Sequence, residues 1–353
     1  MGQILREMAH WRRTRPSPLR EYVALALYRQ SAGDPRHYLG NDEWRTLVRS
    51  WRTDEAARAF RDKGAFHRTV SEIEGVRQPR RLGGIEAGAY LHPDGRTTAL
   101  EASTDLAGVL RKVVAENETP LFLKPAEGRE GKGAFRLGAG DLADGVLPEA
   151  VWEGVRGDAY MVEAVVRQHA ALDALYPESL NTARFVTCRS DGAPPQIVGV
   201  FLRVGSGGRP VDNVGGLFAP LDLASGRLVG PLRQTVADGG EAFDRHPDTG
   251  VAVQDLVVPD VSEAVETVRR VASAFAYPVV GWDIGFSEAG PVLIEGNDWP
   301  GTTKLQAATG GLLANPAFAA FLRRRSIWPE VQAWSGGEGH RAAPPLASLS
   351  SAA

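Results

Sequence analysis

The chain has 353 residues, of which 43% are hydrophobic, 24% charged and 8% aromatic; this excludes a disordered or fibrous protein and predicts two or three domains of roughly 150 residues. A net charge of −3 excludes a globally basic nucleic-acid binder, and a single cysteine, Cys188, excludes a disulfide framework, a thiolate zinc site and an iron–sulfur cluster. The longest apolar run, Tyr22 to Tyr28, is too short to cross a membrane and the first residues lack an export pattern, so we expect a cytoplasmic protein with no membrane or nucleic-acid partner.

The amino-terminal region is predicted to be helical. A helix with one buried face is predicted from the spacing of four apolar residues, Trp44, Leu47, Val48 and Trp51. Thr53 or Asp54 is expected to cap the next helix, which runs on through Phe60. Gly75 and Pro79 end the pattern, so a boundary is predicted between residues 75 and 82.

Short strands separated by turns follow this boundary. The predicted strands are Leu121 to Lys124, Ala134 to Leu137, Tyr160 to Glu163, Arg184 to Cys188, Ile197 to Val204, Leu217 to Leu223, Val279 to Phe286 and Val292 to Glu295. A later helix is predicted over Val261 to Ala276. The order indicates an α+β fold with antiparallel hairpins rather than a βαβ alternation. The last stretch, 335–353, has the composition of a disordered tail.

The segment from Leu121 to Gly133 ends a strand at Lys124 and then carries three glycines and a second lysine, Lys132. Only five of the 40 basic residues are lysines, and a compact ammonium suits places where an arginine fork does not. Glycines let backbone N–H groups approach a phosphate chain, which two lysines could flank. The segment therefore fits a polyphosphate, although an exposed hairpin with charged tips remains an alternative.

A second pair of strands places acidic residues among apolar ones, at Asp283 and at Glu295-Gly296-Asn297. Unpaired buried carboxylates are costly, and oxygen ligands of this kind suit Mg²⁺. Strand geometry requires Asp283 to pair opposite Glu295, or two residues away, to share its face. We therefore predict a five-residue connection with Phe286 opposite Val292, or an equivalent bulge. The alternative is that both carboxylates pair with arginines.

A third cluster lies between these two. Arg184 and Arg203 could bind a phosphate or a carboxylate in a bidentate manner. Because the chain has 35 arginines, the alternative for either one is an exposed surface charge without a role in a site. Candidate substrate contacts near them are Asn181, Asp212 and Asn213. No Ser-His-Asp or HExxH pattern is visible, so histidine chemistry is not expected.

Together these pieces resemble the ATP-grasp superfamily, in which two α+β subdomains hold ATP between them. The resemblance rests on the order Asp62-Lys63, Gly75 to Pro79, Lys124-Pro125 with its glycines, Tyr160 to Glu163, Asp283 and Glu295-x-Asn297. The sugar-transfer-associated ATP-grasp subgroup is resembled more narrowly by Gln168-His169, Ser179 to Arg184, Val211 to Asn213, His246 to Gly250 and Gly281 to Gly301. The similarity spans residues 60 to 310, whereas the helical amino-terminal region departs from the small parallel-sheet domain of many members.

The resemblance implies roles for individual residues. The implied ATP contacts are Lys124 and Lys132 on the phosphates, Gly128, Gly131 and Gly133 in a lid, Tyr160, Met161, Val162 and Glu163 in a hinge that reads adenine, and Lys63. The implied Mg²⁺ ligands are Asp283, Glu295 and Asn297. Arg184 and Arg203 would stabilise the phosphoryl group in flight, while Trp299 and Lys304 would border the acceptor.

The implied fold is an ATP-grasp fold preceded by a mostly helical region. The predicted divisions are a helical region over 1–78, a small subdomain with the lid over 79–163, a carboxyl-terminal subdomain with the Mg²⁺ site over 164–334 and the tail over 335–353.

The implied activity is an ATP- and Mg²⁺-dependent carboxylate–amine ligase that works through an acyl phosphate, in specialised-metabolite or cell-surface biosynthesis. Its partners would be small-molecule carboxylates and amines, with a homodimer left open. The alternatives are a small-molecule kinase that phosphorylates a hydroxyl and a nucleotide-binding regulatory protein without turnover.

Overall fold

The computed structural model describes residues 5–6, 9, 19–24, 34, 37–127, 133–209 and 216–325. The predicted sites and segment that lie outside these residues are Gly128, Gly131, Lys132, Asp212, Asn213 and the tail over 335–353. None of the described helices has the length and apolar character that a membrane span requires.

The helices in chain order are α1 (Leu19–Ala24), α2 (Asn41–Trp51), α3 (Asp54–Arg61), α4 (Lys63–Ser71), α5 (Ser103–Asn117), α6 (Glu149–Val155), α7 (Ala170–Leu175), α8 (Val261–Ala274), α9 (Thr303–Thr309) and α10 (Pro316–Arg324). The strands are β1 (Arg81–Glu86), β2 (Ala89–Leu91), β3 (Thr97–Ala99), β4 (Leu121–Pro125), β5 (Phe135–Leu137), β6 (Tyr160–Ala164), β7 (Thr182–Cys188), β8 (Gln196–Val204), β9 (Leu217–Pro220), β10 (Leu232–Arg233), β11 (Ala242–Phe243), β12 (Val279–Ser287) and β13 (Gly290–Asn297). Short 3₁₀ turns lie at Gly140–Leu142, Val236–Asp238 and Leu312–Ala314.

The strands form two antiparallel sheets. One has six strands in the order β3-β2-β1-β6-β4-β5, and the other has seven in the order β11-β10-β9-β8-β7-β12-β13. This architecture confirms the predicted α+β class with antiparallel hairpins. The predicted division into subdomains stays a prediction.

Strand alternation divides the larger sheet into two packed faces. On one face Phe185 and Trp282 belong to a core that contains Phe60 of α3 and residues of α4 and α8. On the other face Val186 belongs to a core that contains Trp44 of α2 and residues of α9 and α10. The amino-terminal helices therefore cover both faces of this sheet instead of packing apart from it.

Local signals account for the start of these helices. Thr53 caps α3, as predicted, because its side chain accepts a hydrogen bond from the backbone N–H of Ala56. Asp62 caps α4 in the same way through the N–H of Ala65. Lys63 consequently occupies the first turn of a helix whose amino terminus faces the other sheet.

Candidate active site

A cleft of about 580 Å³ lies between the two sheets. The six-stranded sheet lines it with Lys124 and Glu163, and the seven-stranded sheet lines it with Arg184, Arg203 and Glu295. Lys124, an implied phosphate contact, and Glu295, an implied Mg²⁺ ligand, therefore face one cavity.

The late hairpin, β12–β13, has a shorter tip than predicted. Its turn is the dipeptide Glu288-Ala289, so Phe286 pairs one residue nearer to the tip than expected. A bulge between the paired segments then shifts the register and places Asp283 directly opposite Glu295. The five-residue connection is wrong, whereas the equivalent bulge is confirmed.

Asp283 is almost completely buried, at 1% exposure, and holds two arginines. Arg184 forms a bidentate pair with it, in which Nη2 lies 2.8 Å from Oδ2 and Nε bonds Oδ1. Arg203 Nη2 lies 2.9 Å from the same Oδ2, and its Nε and Nη2 also donate to Thr182 Oγ1 at 3.1 and 2.6 Å. Burial alone would raise the pKa of Asp283, but the two guanidinium groups lower it below its usual value.

The strand order explains this pairing. β7 lies between β8 and β12, so Arg184 is directly opposite Asp283 and Arg203 is opposite Thr182. For Asp283 the structure supports the alternative in which the carboxylate pairs with arginines.

Glu295 and Asn297 lie on the cleft side of β13 and are partly exposed. Burial and the charge of Asp283 raise the pKa of Glu295. Asn297 Oδ1 accepts a hydrogen bond of 2.9 Å from the backbone N–H of Trp299.

These oxygens bear on the predicted Mg²⁺ site. In the described part of the chain no three His, Cys, Asp or Glu side chains cluster as a metal site would require. The carboxylate of Glu295 and the amide oxygen of Asn297 nevertheless fit a hard cation that completes its coordination with water and phosphate oxygens. Asp283 fits less well, because arginines already hold both of its oxygens. The metal-ligand roles stay predictions.

Lys124 pairs with Glu163 across the six-stranded sheet, at 2.9 Å between Nζ and Oε2. Met161 also lines the cleft, whereas Tyr160 and Val162 belong to the apolar core beneath α5. Strand β6 lies between β1 and β4, so this segment is paired on both sides. Its role in reading adenine stays a prediction.

Helices α3 and α4 supply cleft residues that the sequence did not single out, namely Phe60, Arg61, Phe66 and His67. Burial lowers the pKa of His67. Lys63 joins α4 to the base of the glycine-rich segment, since its Nζ donates to Pro125 O at 2.9 Å and its backbone N to Ala126 O at 3.2 Å. Burial lowers the pKa of Lys63 as well. In the sequence, Lys63 was the only residue of α3 and α4 that was predicted to contact ATP.

Asn181, a predicted substrate contact, lies inside the protein. It is fully buried, and its Nδ2 donates to Gln168 Oε1, Leu172 O and Tyr176 O while its Oδ1 accepts from Gly205 N. Every polar atom of this side chain is therefore engaged inside the protein, which favours a structural role, and the substrate role of Asn181 stays a prediction.

The remaining predicted positions have different surroundings. Trp299 lines it, whereas Lys304 donates to Gly216 O at 3.2 Å. Gly133 has a φ of +73°, and a side chain there would approach Tyr160 Oη to 3.0 Å. The functional roles of Trp299, Lys304 and Gly133 stay predictions.

Comparison with known proteins supports the resemblance that the sequence indicated. Residues 152–318 match the family model for sugar-transfer associated ATP-grasp proteins. No curated protein matches the chain in sequence.

Solved structures also match the chain, at low identity. They include N5-carboxyaminoimidazole synthase from Aspergillus clavatus, at 14% identity and a TM-score of 0.43, over 77% of this chain and 57% of that one. The ATP-grasp ligase PsnB has 13% identity and a TM-score of 0.43, over 78% and 64%. D-alanyl-alanine synthetase A from Vibrio cholerae has 14% identity and a TM-score of 0.44, over 80% and 66%. The chain thus spans less than two thirds of each.

Proposed function

Because residues 152–318 match the family model for sugar-transfer associated ATP-grasp proteins, we propose that the protein is an ATP- and Mg²⁺-dependent ligase that joins a small-molecule carboxylate to an amine. The observation that carries this proposal is the cleft in which Lys124 faces Arg184, Arg203 and Glu295 from the opposite sheet. Biosynthesis of a specialised metabolite or a cell-surface component remains part of the proposal.

Charge neutralisation is the chief task of such a site, since phosphoryl transfer needs little acid–base chemistry. Lys124 would contact the phosphate chain, and Glu163 holds its ammonium in place. Glu295 and Asn297 would hold the cation, which neutralises charge on the phosphates when bound. Deprotonation of Glu295 is required for this, and a bound cation would oppose the rise that burial causes in its pKa.

Arg184 and Arg203 would act on the reacting groups. A substrate carboxylate oxygen attacks the γ-phosphorus, the bond from that phosphorus to the β–γ bridging oxygen breaks, and ADP leaves. The amine then attacks the acyl carbon, and inorganic phosphate departs with the electrons of the carbon–oxygen bond. Because Asp283 fixes both guanidinium groups, they are oriented before the reaction and can stabilise the charge that develops.

Release of ADP and of free phosphate from ATP, measured over a panel of carboxylates and amines, tests the proposal. A ligase needs both substrates and releases the two products in equal amounts. Retention of the phosphate on a hydroxyl product would show a kinase, and ADP binding without turnover would show a regulatory protein. Lys124→Ala should abolish turnover, while the matched control Lys112→Ala, on the exposed face of α5, should not change it.

A further inference from the structure

Helix α2 and its C-cap contact the segment that follows β13. This segment, residues 298–301, lies in the connection between β13 and α9, and its Trp299 and Gly301 line the cleft. Trp44 Nε1 donates to Pro300 O at 2.9 Å, in a buried hydrogen bond across 256 positions of sequence. Arg52, the C-cap residue that follows α2, donates from Nε to Asp298 Oδ2 at 3.0 Å.

Arg52 makes a further contact, because its guanidinium lies over the Trp299 ring, 5.7 Å from the ring centre. A planar guanidinium can pair with a carboxylate at its edge and stack on an indole through its face. Asp298 is 2% exposed, so this pair is largely shielded from water. Three successive residues, from Asp298 to Pro300, are thus held by α2.

The helix itself is fixed on the large sheet. The buried side chain of Gln306, in α9, accepts from Leu39 N at 2.8 Å and donates to Leu39 O at 2.9 Å, just before α2 begins. Trp44 also packs against Phe318 of α10, with ring centres 6.2 Å apart. Trp44 therefore projects from a helix that is fixed on the sheet, and Arg52 is the C-cap of that helix, where its backbone N–H bonds Val48 O.

The held segment touches the reaction centre. A methyl group placed on Gly281 would lie 2.9 Å from Pro300 Cβ and 3.1 Å from Arg184 Cδ. Pro300 and Arg184 consequently pack side by side above one glycine. A displacement of Pro300 would change the space beside the Arg184 guanidinium.

We infer that Trp44 and Arg52 are positioning residues that set the conformation of the 298–301 segment and, through it, the acceptor side of the cleft. The amino-terminal helical region is thereby part of the active site. The conclusion about the acceptor rests on the proposed function. The contacts of Trp44 and Arg52 with residues 298–300, which we call the clamp, do not.

Fluorine NMR of the full chain labelled with 5-fluorotryptophan tests the clamp directly. The chain has eight tryptophans, and a Trp299→Phe spectrum assigns the Trp299 resonance. Arg52→Gln and Trp44→Phe should each shift and broaden this resonance. Arg45→Gln is the control on the same helix, because Arg45 is 61% exposed and its nearest acidic partner is 3.8 Å away; it should leave the resonance unchanged.

Trp44→Phe retains the aromatic packing and removes the indole donor. It therefore tests the hydrogen bond to Pro300 in a folded protein, even if Arg52→Gln lowers the free energy of unfolding. An unchanged Trp299 resonance in Trp44→Phe and Arg52→Gln, with both proteins folded, would overturn the inference.

Enzyme assays separate the two proposals. Binding of Mg²⁺ and ADP should be the same in Arg52→Gln and wild type, while amine-dependent ADP release should fall by about tenfold to a hundredfold through a higher KM for the amine. Weaker ADP binding, or unchanged kinetics for the amine, would contradict a role on the acceptor side. If no substrate pair supports turnover in the wild type, the proposed function fails, but the NMR result still decides whether the clamp exists.

Discussion

The cross-strand pair Asp283 and Glu295 gives the sharpest prediction, because the structure assigns opposite energetic roles to two neighbouring carboxylates. Asp283→Asn keeps the shape of the side chain and removes the charge that Arg184 and Arg203 share. Both arginines are themselves buried, with side-chain exposures of 9% and 8%. The substitution therefore leaves two guanidinium groups in a poorly hydrated site.

The magnitude follows from the contacts. Asp283 accepts three charge-assisted hydrogen bonds, and each contributes about 1.5–3 kcal/mol when the partner is charged. Part of this loss is recovered, because the asparagine oxygen still accepts one bond and Glu295 lies opposite. We expect Asp283→Asn to lower the free energy of unfolding by about 3–5 kcal/mol, the range for breaking a buried ion pair from one side.

The assay is urea unfolding of the nucleotide-free protein in EDTA, which removes any metal contribution. Glu295→Gln is the matched variant, and it should stabilise the protein at neutral pH, because burial and Asp283 disfavour the Glu295 carboxylate. A loss below about 1 kcal/mol for Asp283→Asn, within the range of an exposed ion pair, would refute the role of Asp283 as the partner of the arginines.

The pH dependence provides a second check, with opposite signs at the two positions. The folded pKa of Glu295 is raised, so its favourable contribution is present below the unfolded pKa and is lost as pH rises through the folded pKa. The folded pKa of Asp283 is lowered, so its contribution is present above the unfolded pKa and is lost as pH falls through the folded pKa. Glu295→Gln should therefore exceed wild type in stability increasingly as pH rises, whereas Asp283→Asn should approach wild type in acid.

Further predictions concern single contacts. Lys124→Ala should weaken ATP binding by about 1.5–3 kcal/mol, as calorimetry would measure, because a charge-assisted contact is lost; unchanged affinity would exclude the phosphate role. Gly281→Ala should reduce turnover while leaving a folded protein, because the new methyl group displaces Arg184. Gly296→Ala should lower the free energy of unfolding by about 1–3 kcal/mol through overpacking, since its Cβ would lie 2.9 Å from two buried phenylalanine rings. Gly108→Ala is the control for it, with open space around its Cβ in the middle of α5, and should raise stability by about 0.5–1 kcal/mol.

The late hairpin shows what the sequence can predict. Asp283 and Glu295 can bind one cation only if they lie on the same face of the hairpin. Because side chains alternate along a strand, few pairing registers meet this requirement. The bulge opposite Asp283 satisfies that requirement. A shift of register was predictable, because without one Asp283 and Glu295 would lie on opposite faces of the hairpin. The place of the bulge and the length of the tip were not predicted, and the tip is a two-residue turn flanked by Gly290, whose φ is +107°.

The amino-terminal helices show where sequence reasoning ends. The pattern of Trp44, Leu47, Val48 and Trp51 predicted a buried face correctly, and the structure buries it. It could not predict what covers that face, because the covering residues lie in α9, in α10 and in the segment after β13. The bond from Trp44 to Pro300 joins positions 256 apart, and periodicity carries no information at that distance.

The pairing of Arg184 and Arg203 with Asp283 was likewise not predictable from the sequence. Among 35 arginines, an exposed surface charge was the simpler interpretation of Arg184 or Arg203 when each was taken singly. The strand order β8-β7-β12 brings both to one carboxylate. Once Asp283 is neutralised, Glu295 is left as the carboxylate beside it that lines the cleft, with a pKa raised by burial and by Asp283. Asp283 and Glu295 look equivalent in sequence, but the strand order makes one the partner of the arginines and leaves the other facing the cleft. The opposite effects on stability expected for Asp283→Asn and Glu295→Gln measure this difference.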